Sequence, residues 1–267
     1  MKKFGLLGLG LIASVQATDY QYVGDPVTGY DSLGVPTQKT NINSSLPLDL
    51  LDNIYGMLPE STAVNPAYIA SDTRSNIHFD DDLATFATAS ITFLNEGAGY
   101  RNSLGYFVYD TNNPPLTKDD IPAHTIIFPN ASKPSAGNMQ QGDTVELGIE
   151  ITSGQSLGFF VVPNGWSYGG SGSTIVSDGP WNTPFYSQHQ LNPEPEGNQR
   201  HNVVFIDAPN ELLVIGFDDQ YITSGDQDYN DVLFTVAITP FYAIDGVNPD
   251  GTIDGDSYIP LEENPNV

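Results

Sequence analysis

Two short runs carry most of this chain's potential for chemistry. Gly216-Phe217-Asp218-Asp219 is followed closely by Asp226-Gln227-Asp228-Tyr229-Asn230-Asp231, which leads into the apolar run Val232-Leu233-Phe234-Thr235-Val236. Asp226, Asp228 and Asn230 alternate with Gln227 and Tyr229, so a curling loop turns three oxygen-bearing side chains toward one point. Carboxylates gathered this closely repel one another unless a cation neutralises them, and oxygen donors of this kind suit calcium. If the Gln220 to Gly225 segment is a tight return, Asp218 and Asp219 reach the same end of the sheet and clamp the ion from its other side. Asp231 stands where an EF-hand loop has glycine, so this is not an EF-hand. The bland alternative is an acidic hairpin loop, where Asp, Asn and Gly are common for their turn chemistry alone.

A second cluster runs from Leu94 through Asn95-Glu96-Gly97-Ala98-Gly99-Tyr100-Arg101-Asn102 to Tyr106. Its glycines permit positive φ and close backbone approach. From here Glu96 can complete the ion's coordination and Arg101 can pair with a surplus carboxylate. The expected calcium ligands are therefore Asp219, Asp226, Asp228, Asn230 and Asp231, with Glu96 and Asp218 in second rank.

Other chemistry finds less support. His78, His124, His189 and His201 lack the i, i+4 spacing of a helical zinc site, and there is no Gly-x-Ser-x-Gly elbow or phosphate-cradling glycine motif. Trp166, Tyr168, Trp181, Phe185 and Tyr186 surround one long loop; they either form a sugar-stacking platform or cover an edge of the fold.

Composition sets the frame for these sites. The 267 residues hold 8 basic and 33 acidic side chains, a formal charge of −25, and no cysteine. Lys2 and Lys3, the apolar stretch Phe4 to Val15 and the small residues around Ala17 read as a secretory signal over residues 1–17, too short to span a bilayer as a helix. Its removal takes both lysines, leaving 6 basic against 33 acidic residues and a charge of −27. Such a chain avoids nucleic-acid phosphates and anionic membrane surfaces. An exported chain without disulfides has metal ions as the substitute staple. The expected destination is secreted or extracellular, with the periplasm as the other option.

The elements that must position the acidic runs are strands. The 26 Gly and 20 Pro favour many turns. Strands are expected over Ala87 to Leu94, Leu104 to Tyr109, His124 to Phe128, Thr144 to Ile151, Leu157 to Val162, Asn202 to Ile206, Glu211 to Phe217 and Val232 to Ile238. Val145, Leu147, Ile149 and Ile151 alternate onto one face, while Phe159-Phe160-Val161-Val162 reads as buried on both sides. The fold class is all-β: an antiparallel two-sheet sandwich, jelly-roll-like, with a short N-terminal helix. That helix has Ser45 near its cap, Pro47 in its first turn, Leu48, Leu51, Ile54, Tyr55 and Leu58 on one face, and Pro59 as its stop. The division is an extension over 18–75, the calcium-binding sandwich over 76–240 and an acidic tail over 241–267. Gly169 to Gly172 and Asn192 to Arg200 are expected surface loops. In the tail, Asn248, Asp250, Gly251 and Asp254 mimic part of an EF-hand loop, but Gly246 and Ser257 replace two principal ligands, so a solvated turn is expected.

The two acidic clusters, with Thr125-Ile126-Ile127-Phe128-Pro129-Asn130 and Gly158-Phe159-Phe160-Val161-Val162-Pro163-Asn164-Gly165-Trp166 between them, resemble the bacterial family called domain of unknown function 4114. The resemblance runs from the helix near Leu46 to about Val236. It implies a β-rich exported module with acidic positions at Glu96, Asp219, Asp226, Asp228 and Asp231; Asp218 stands where the family usually has the longer Glu. The family's recurrent acids also invite a glycan-hydrolase reading, with Glu96 and Asp219 or Asp226 as acid and base. The favoured expectation is a calcium-dependent structural or adhesive module, whose partners are calcium and polysaccharide or cell-surface components; a carbohydrate-binding module and the hydrolase are the alternatives.

Overall fold

Successive side chains of a strand point to opposite faces, and here that alternation sorts two sheets against each other. The computed structural model describes residues 18–70, 73–80, 83–166, 176, 178, 182–195, 197, 199–255 and 258–264. The expected signal segment, Tyr168, the Gly169 to Gly172 stretch and Trp181 lie outside the described residues.

The strands are β1 (Tyr20–Tyr22), β2 (Thr40–Asn41), β3 (Ile77–His78), β4 (Thr88–Asn95), β5 (Ser103–Asp110), β6 (His124–Phe128), β7 (Asp143–Glu146), β8 (Gln155–Val162), β9 (Phe185–Tyr186), β10 (Asn202–Asp207), β11 (Leu212–Phe217), β12 (Val232–Thr239) and β13 (Ile259–Pro260). One sheet has the order β1-β6-β5-β8-β3, with β9 also on β8; the other runs β13-β10-β11-β12-β4-β7-β2. Pairing is antiparallel except for β1 with β6 and β10 with β13, so each sheet is mixed at one edge. The protein is an all-β two-sheet sandwich, with one α-helix among the described residues.

Between the sheets lie Ile91 and Phe93 of β4, Phe159 and Val161 of β8, Ile215 and Phe217 of β11, and Phe234 and Val236 of β12. The alternate residues are also covered, which explains the continuously apolar runs. Phe160 and Val162 turn to the outer face of the first sheet, where Val176 and Tyr186 bury them. Val214 and Leu233 turn to the outer face of the second, under the helix.

That helix, α1 (Leu50–Met57), starts later than its proline suggests. Asp49 takes the cap position, so Pro47 and Leu48 precede the helix and Leu48 is fully exposed. The buried face is Leu50, Ile54 and Met57, with Leu58 following, while Leu51 and Tyr55 are half-buried. Tyr55 receives a hydrogen bond from the Asn95 amide at the end of β4, which fixes the helix over the acidic end of the sheet. Strand β7 is shorter than its alternation suggests because Gly148 adopts φ +67° and breaks the ladder after Glu146. Beyond Pro240 the chain supplies Phe241, Ala243, Ile244, Val247 and Tyr258 to the inter-sheet core. The Asn248 to Asp254 turn is closed by its own side chains: Thr252 N–H donates to Asp250 (3.0 Å) and the Asn248 amide to Asp254 (2.8 Å).

The Asn192 to Arg200 segment is a surface loop pinned by several of its polar side chains. Asn192 donates to the carbonyls of Tyr186 (2.9 Å) and Gln199 (2.7 Å), Glu194 accepts from Ile222 N–H (2.8 Å), and Arg200 reaches the carbonyls of Ala70 and Thr73. Asn192, Glu194 and Arg200 face inward, while Pro193, Pro195 and Gly197 are exposed.

On the outer face of the first sheet, His124 is packed among Tyr20, Phe160 and Tyr186, with its Nε2 3.1 Å from the Tyr186 hydroxyl. Burial, followed by the nearby Lys118 charge, pushes its pKa down to about 4. The unfolded chain then takes up a proton at higher pH than the folded one. Stability from this site is complete above about pH 6.5 and is lost as pH falls through about 4, by roughly 3 kcal/mol. Comparing chemical denaturation of His124→Phe with the parent across pH 4–7 should show that loss in the parent relative to the variant. A gap independent of pH would show that His124 does not titrate in this way.

Candidate functional site

Strand pairing gathers the acidic runs at one end of the sandwich. Phe217 at the end of β11 pairs with Val232 at the start of β12 and with Asn202 at the start of β10, so Asp218 and Asp231 flank a paired couple. Leu233 pairs with Asn95 at the end of β4, which delivers Glu96 to the same end. Close backbone approach is built in: a methyl at Gly216 would overlap the Tyr229 carbonyl, and one at Gly97 would overlap Asn230 Oδ1.

The connection from β11 to β12 is held in an uncommon backbone. Gln227 (φ +62°) and Tyr229 (φ +57°) both lie in the left-handed region, which is costly for a bulky side chain. What retains it is long-range. The Tyr229 ring is buried under α1 and its hydroxyl donates to the Arg200 carbonyl at 2.7 Å, while the Gln227 carbonyl accepts from Val64 N–H at 2.9 Å. Asp228, Asn230 and Asp231 thereby turn inward and are buried, whereas Asp226 remains exposed.

Each buried acid has a defined set of partners. Asp218, fully buried, accepts Gln220 N–H on Oδ1 at 2.9 Å, but its Oδ2 has no partner. Asp219 accepts the Asn102 amide at 2.6 Å, and its own N–H donates to Asp231 Oδ2 at 2.8 Å. Asp228 accepts from Ser61 N–H (2.8 Å) and Asn230 N–H (3.1 Å). Asn230 donates to the Leu58 carbonyl, and its buried Oδ1 has no partner. Glu96 is buried and takes a long contact of 3.4 Å from Lys133 N–H.

Electrostatics follow from this crowding. Burial is the largest cause that lifts Asp218 to about 7, with the charges of Asp219, Asp226 and Asp228 adding to it. Asp219 and Asp231 are both raised chiefly by burial; for Asp231 the Asp219 charge comes next. Burial also raises Asp228 and Glu96. These buried carboxyls favour their protons unless positive charge is supplied.

The structure therefore links Asp231 to the Asp219 N–H and sets Asp218 and Asp228 near enough for their charges to bear on Asp231, with Asp226 exposed and Glu96 on the neighbouring strand end. As arranged, no three His, Cys, Asp or Glu side chains among the described residues stand close enough together to grip one ion. The fit to calcium rests instead on the donor types, all hard oxygens, and on the two orphaned atoms, Asp218 Oδ2 and Asn230 Oδ1. Two contributors escaped the sequence reading. Asn102 binds Asp219 directly. Glu60, just past α1, has its carboxyl raised by burial and by Asp228 and Asp226, and lies with Asn230 Oδ1 over Gly97. Only the chain fold brings Glu60 there; the signal available in sequence was an acid immediately after a helix-ending proline.

Of the aromatic residues around the long loop, those described are turned inward rather than out to solvent. Trp166 is only 5% exposed, Tyr186 is buried on the outer face of the first sheet, and Phe185 is buried against His201.

The fold and site together define an all-β sandwich with a buried acidic cluster at one end. Residues 151–239 match the family model described as Domain of unknown function (DUF4114). The match spans β8 to β12 and includes Asp218, Asp219 and the Asp226 to Asp231 run; it is narrower than the resemblance from Leu46, leaving out α1 and Glu96. No curated protein and no solved structure matches the chain. Among the described residues, no helix is long and apolar enough to cross a membrane.

Proposed function

We propose that the protein is an exported module in which calcium, bound by Asp218, Asp219, Asp228, Asn230 and Asp231 with Asp226 and Glu96 assisting, fixes the loops at one end of the sandwich for structural or adhesive contacts. The observation that carries this reading is the pair of buried, unpartnered oxygens, Asp218 Oδ2 and Asn230 Oδ1, inside a cluster of buried carboxylates. A buried acceptor left unmade is costly, and a hard cation satisfies several at once. The absence of cysteine from the sequence favours oxygen-preferring calcium over thiolate-seeking metals. Burial of Glu96 sets it back from any substrate, which weighs against its use with Asp219 or Asp226 as a glycosidase acid and base.

Calcium titration calorimetry, with magnesium as control, tests the proposal. A calcium-selective isotherm with Kd on the order of 10⁻⁴ to 10⁻³ M, suited to extracellular calcium, is expected and should vanish in Asp228→Ala. A flat isotherm at millimolar calcium would remove the basis for this reading.

A further inference from the structure

A cleft of about 240 Å³ opens at the same end of the sandwich, with Tyr100, Asp219, Gln220, Tyr221, Asn182 and Ser224 among its walls. We propose that this cleft binds one ring of a neutral saccharide chain. The proposal rests on the calcium reading in one respect. Tyr100 lies between Glu96 and Asn102, and Gln220, Tyr221 and Ser224 lie between Asp219 and Asp228, so the ion that ties those ends together also sets the cleft walls.

Two exposed aromatic rings mark the cleft. Tyr100 is 44% and Tyr221 42% exposed, although large aromatic faces usually lose water on folding. Tyr221 is not a loose surface side chain. Its ring meets buried Phe185 edge-on at 5.4 Å, and Phe185 is stacked on buried His201 at 3.9 Å. His201 in turn is hydrogen-bonded to Glu194, which also holds Ile222 N–H beside Tyr221. A ring held by a buried stack loses little freedom on binding.

Chemistry and size select the ligand. The C–H face of a pyranose is apolar and packs on an aromatic ring, while its equatorial hydroxyls need alternating acceptors and donors. Gln220 and Asn182 supply amides, and Thr183 and Ser224 supply hydroxyls. The volume falls below the roughly 300–1,000 Å³ of clefts that enclose a drug-sized ligand, which suits one ring of a longer chain. A formal charge of −25, with Asp219 in the wall, repels uronates and sulfated glycans. The saccharide is therefore neutral.

Affinity electrophoresis tests this: the protein is run in millimolar calcium through native gels containing dextran, xyloglucan, galactomannan or mixed-linkage β-glucan, with alginate as the anionic control. Retardation is expected in at least one neutral gel and not in alginate. Tyr221→Ala and Tyr100→Ala should each weaken it by at least about tenfold, the scale of a principal aromatic contact, while Tyr221→Phe retains it. Both alanine variants should keep the calcium-dependent unfolding midpoint of the parent, which separates a lost ligand contact from a lost fold. No retardation in any neutral gel, or equal retardation in Tyr221→Ala, overturns the cleft assignment. Retardation that survives in a protein indifferent to calcium overturns the cation reading and leaves the cleft standing.

Discussion

Asp218→Asn is expected to raise the unfolding midpoint in EDTA and to lower it in calcium. In EDTA near pH 8 the parent must carry a fully buried carboxylate whose pKa is lifted to about 7. The shift from its ordinary value corresponds to roughly 4 kcal/mol of unfavourable ionisation. Asparagine removes that charge and keeps an oxygen for Gln220 N–H, at the cost of an amide in a buried place, about 1–3 kcal/mol if it finds no acceptor. The net gain should be about 1–3 kcal/mol, or several degrees at about 2–4 °C per kcal/mol. With calcium at a hundredfold excess over Kd, the parent gains about 2.7 kcal/mol, and the variant forfeits much of that. Scanning calorimetry of both proteins in EDTA and calcium reads the two signs directly. A shift of the same sign in both conditions would mean that Asp218 meets no cation.

The second large effect is a pH dependence that runs opposite to ordinary acid denaturation. For Asp218 the folded pKa lies above the unfolded one, so between about pH 4 and 7 the unfolded chain releases a proton that the folded chain keeps. Stability of the calcium-free protein is therefore full below about pH 4 and declines as pH rises through about 7. Asp219 and Asp231, raised in the same direction, extend the decline, and Asp231 does so beyond neutrality. Calcium requires the ionised forms, so its binding near pH 7 should expel protons. Urea denaturation in EDTA, compared between parent and Asp231→Asn from pH 5 to 9, should show a steeper fall in the parent. Calorimetric binding enthalpies should also differ between buffers of different ionisation heat. Parallel stability curves with buffer-independent enthalpies would show that these carboxyls are already ionised before calcium arrives.

Most of the sandwich was legible because its long strands are apolar runs bounded by turn residues. His124 to Phe128 is β6 to the residue, and β4, β5, β8, β10, β11 and β12 differ from expectation only at their ends. β11 begins at Leu212 because Glu211 adopts φ +55° and stands outside the ladder. The two- and three-residue strands β1, β2, β3, β9 and β13 were not legible, since a stretch that short shows no alternation and owes its conformation to its partner. At the site, residue types and spacing announced oxygen ligands. They did not announce burial: an acidic hairpin and an inward-folded one have the same composition. What decides between them is Tyr229 anchored to Arg200 and roofed by α1, contacts from distant parts of the chain. The same holds for the aromatic residues near the long loop, since Phe185 is buried against His201 and Tyr186 on the outer face of the first sheet.

The short flanking strands have a consequence for how this protein can assemble. A sheet edge with free N–H and C=O groups is a template on which another chain can continue the sheet. Here β1 and β13 lie parallel along one edge of each sheet, and β2 and β3 contribute only two residues each at the opposite edges. Growth by strand addition would find two or three rungs at most before the ladder ends. Fibre formation through the backbone is thereby discouraged, and any network built from this module must be knitted through its loop end, where side-chain chemistry and ions in the medium decide whether the links hold.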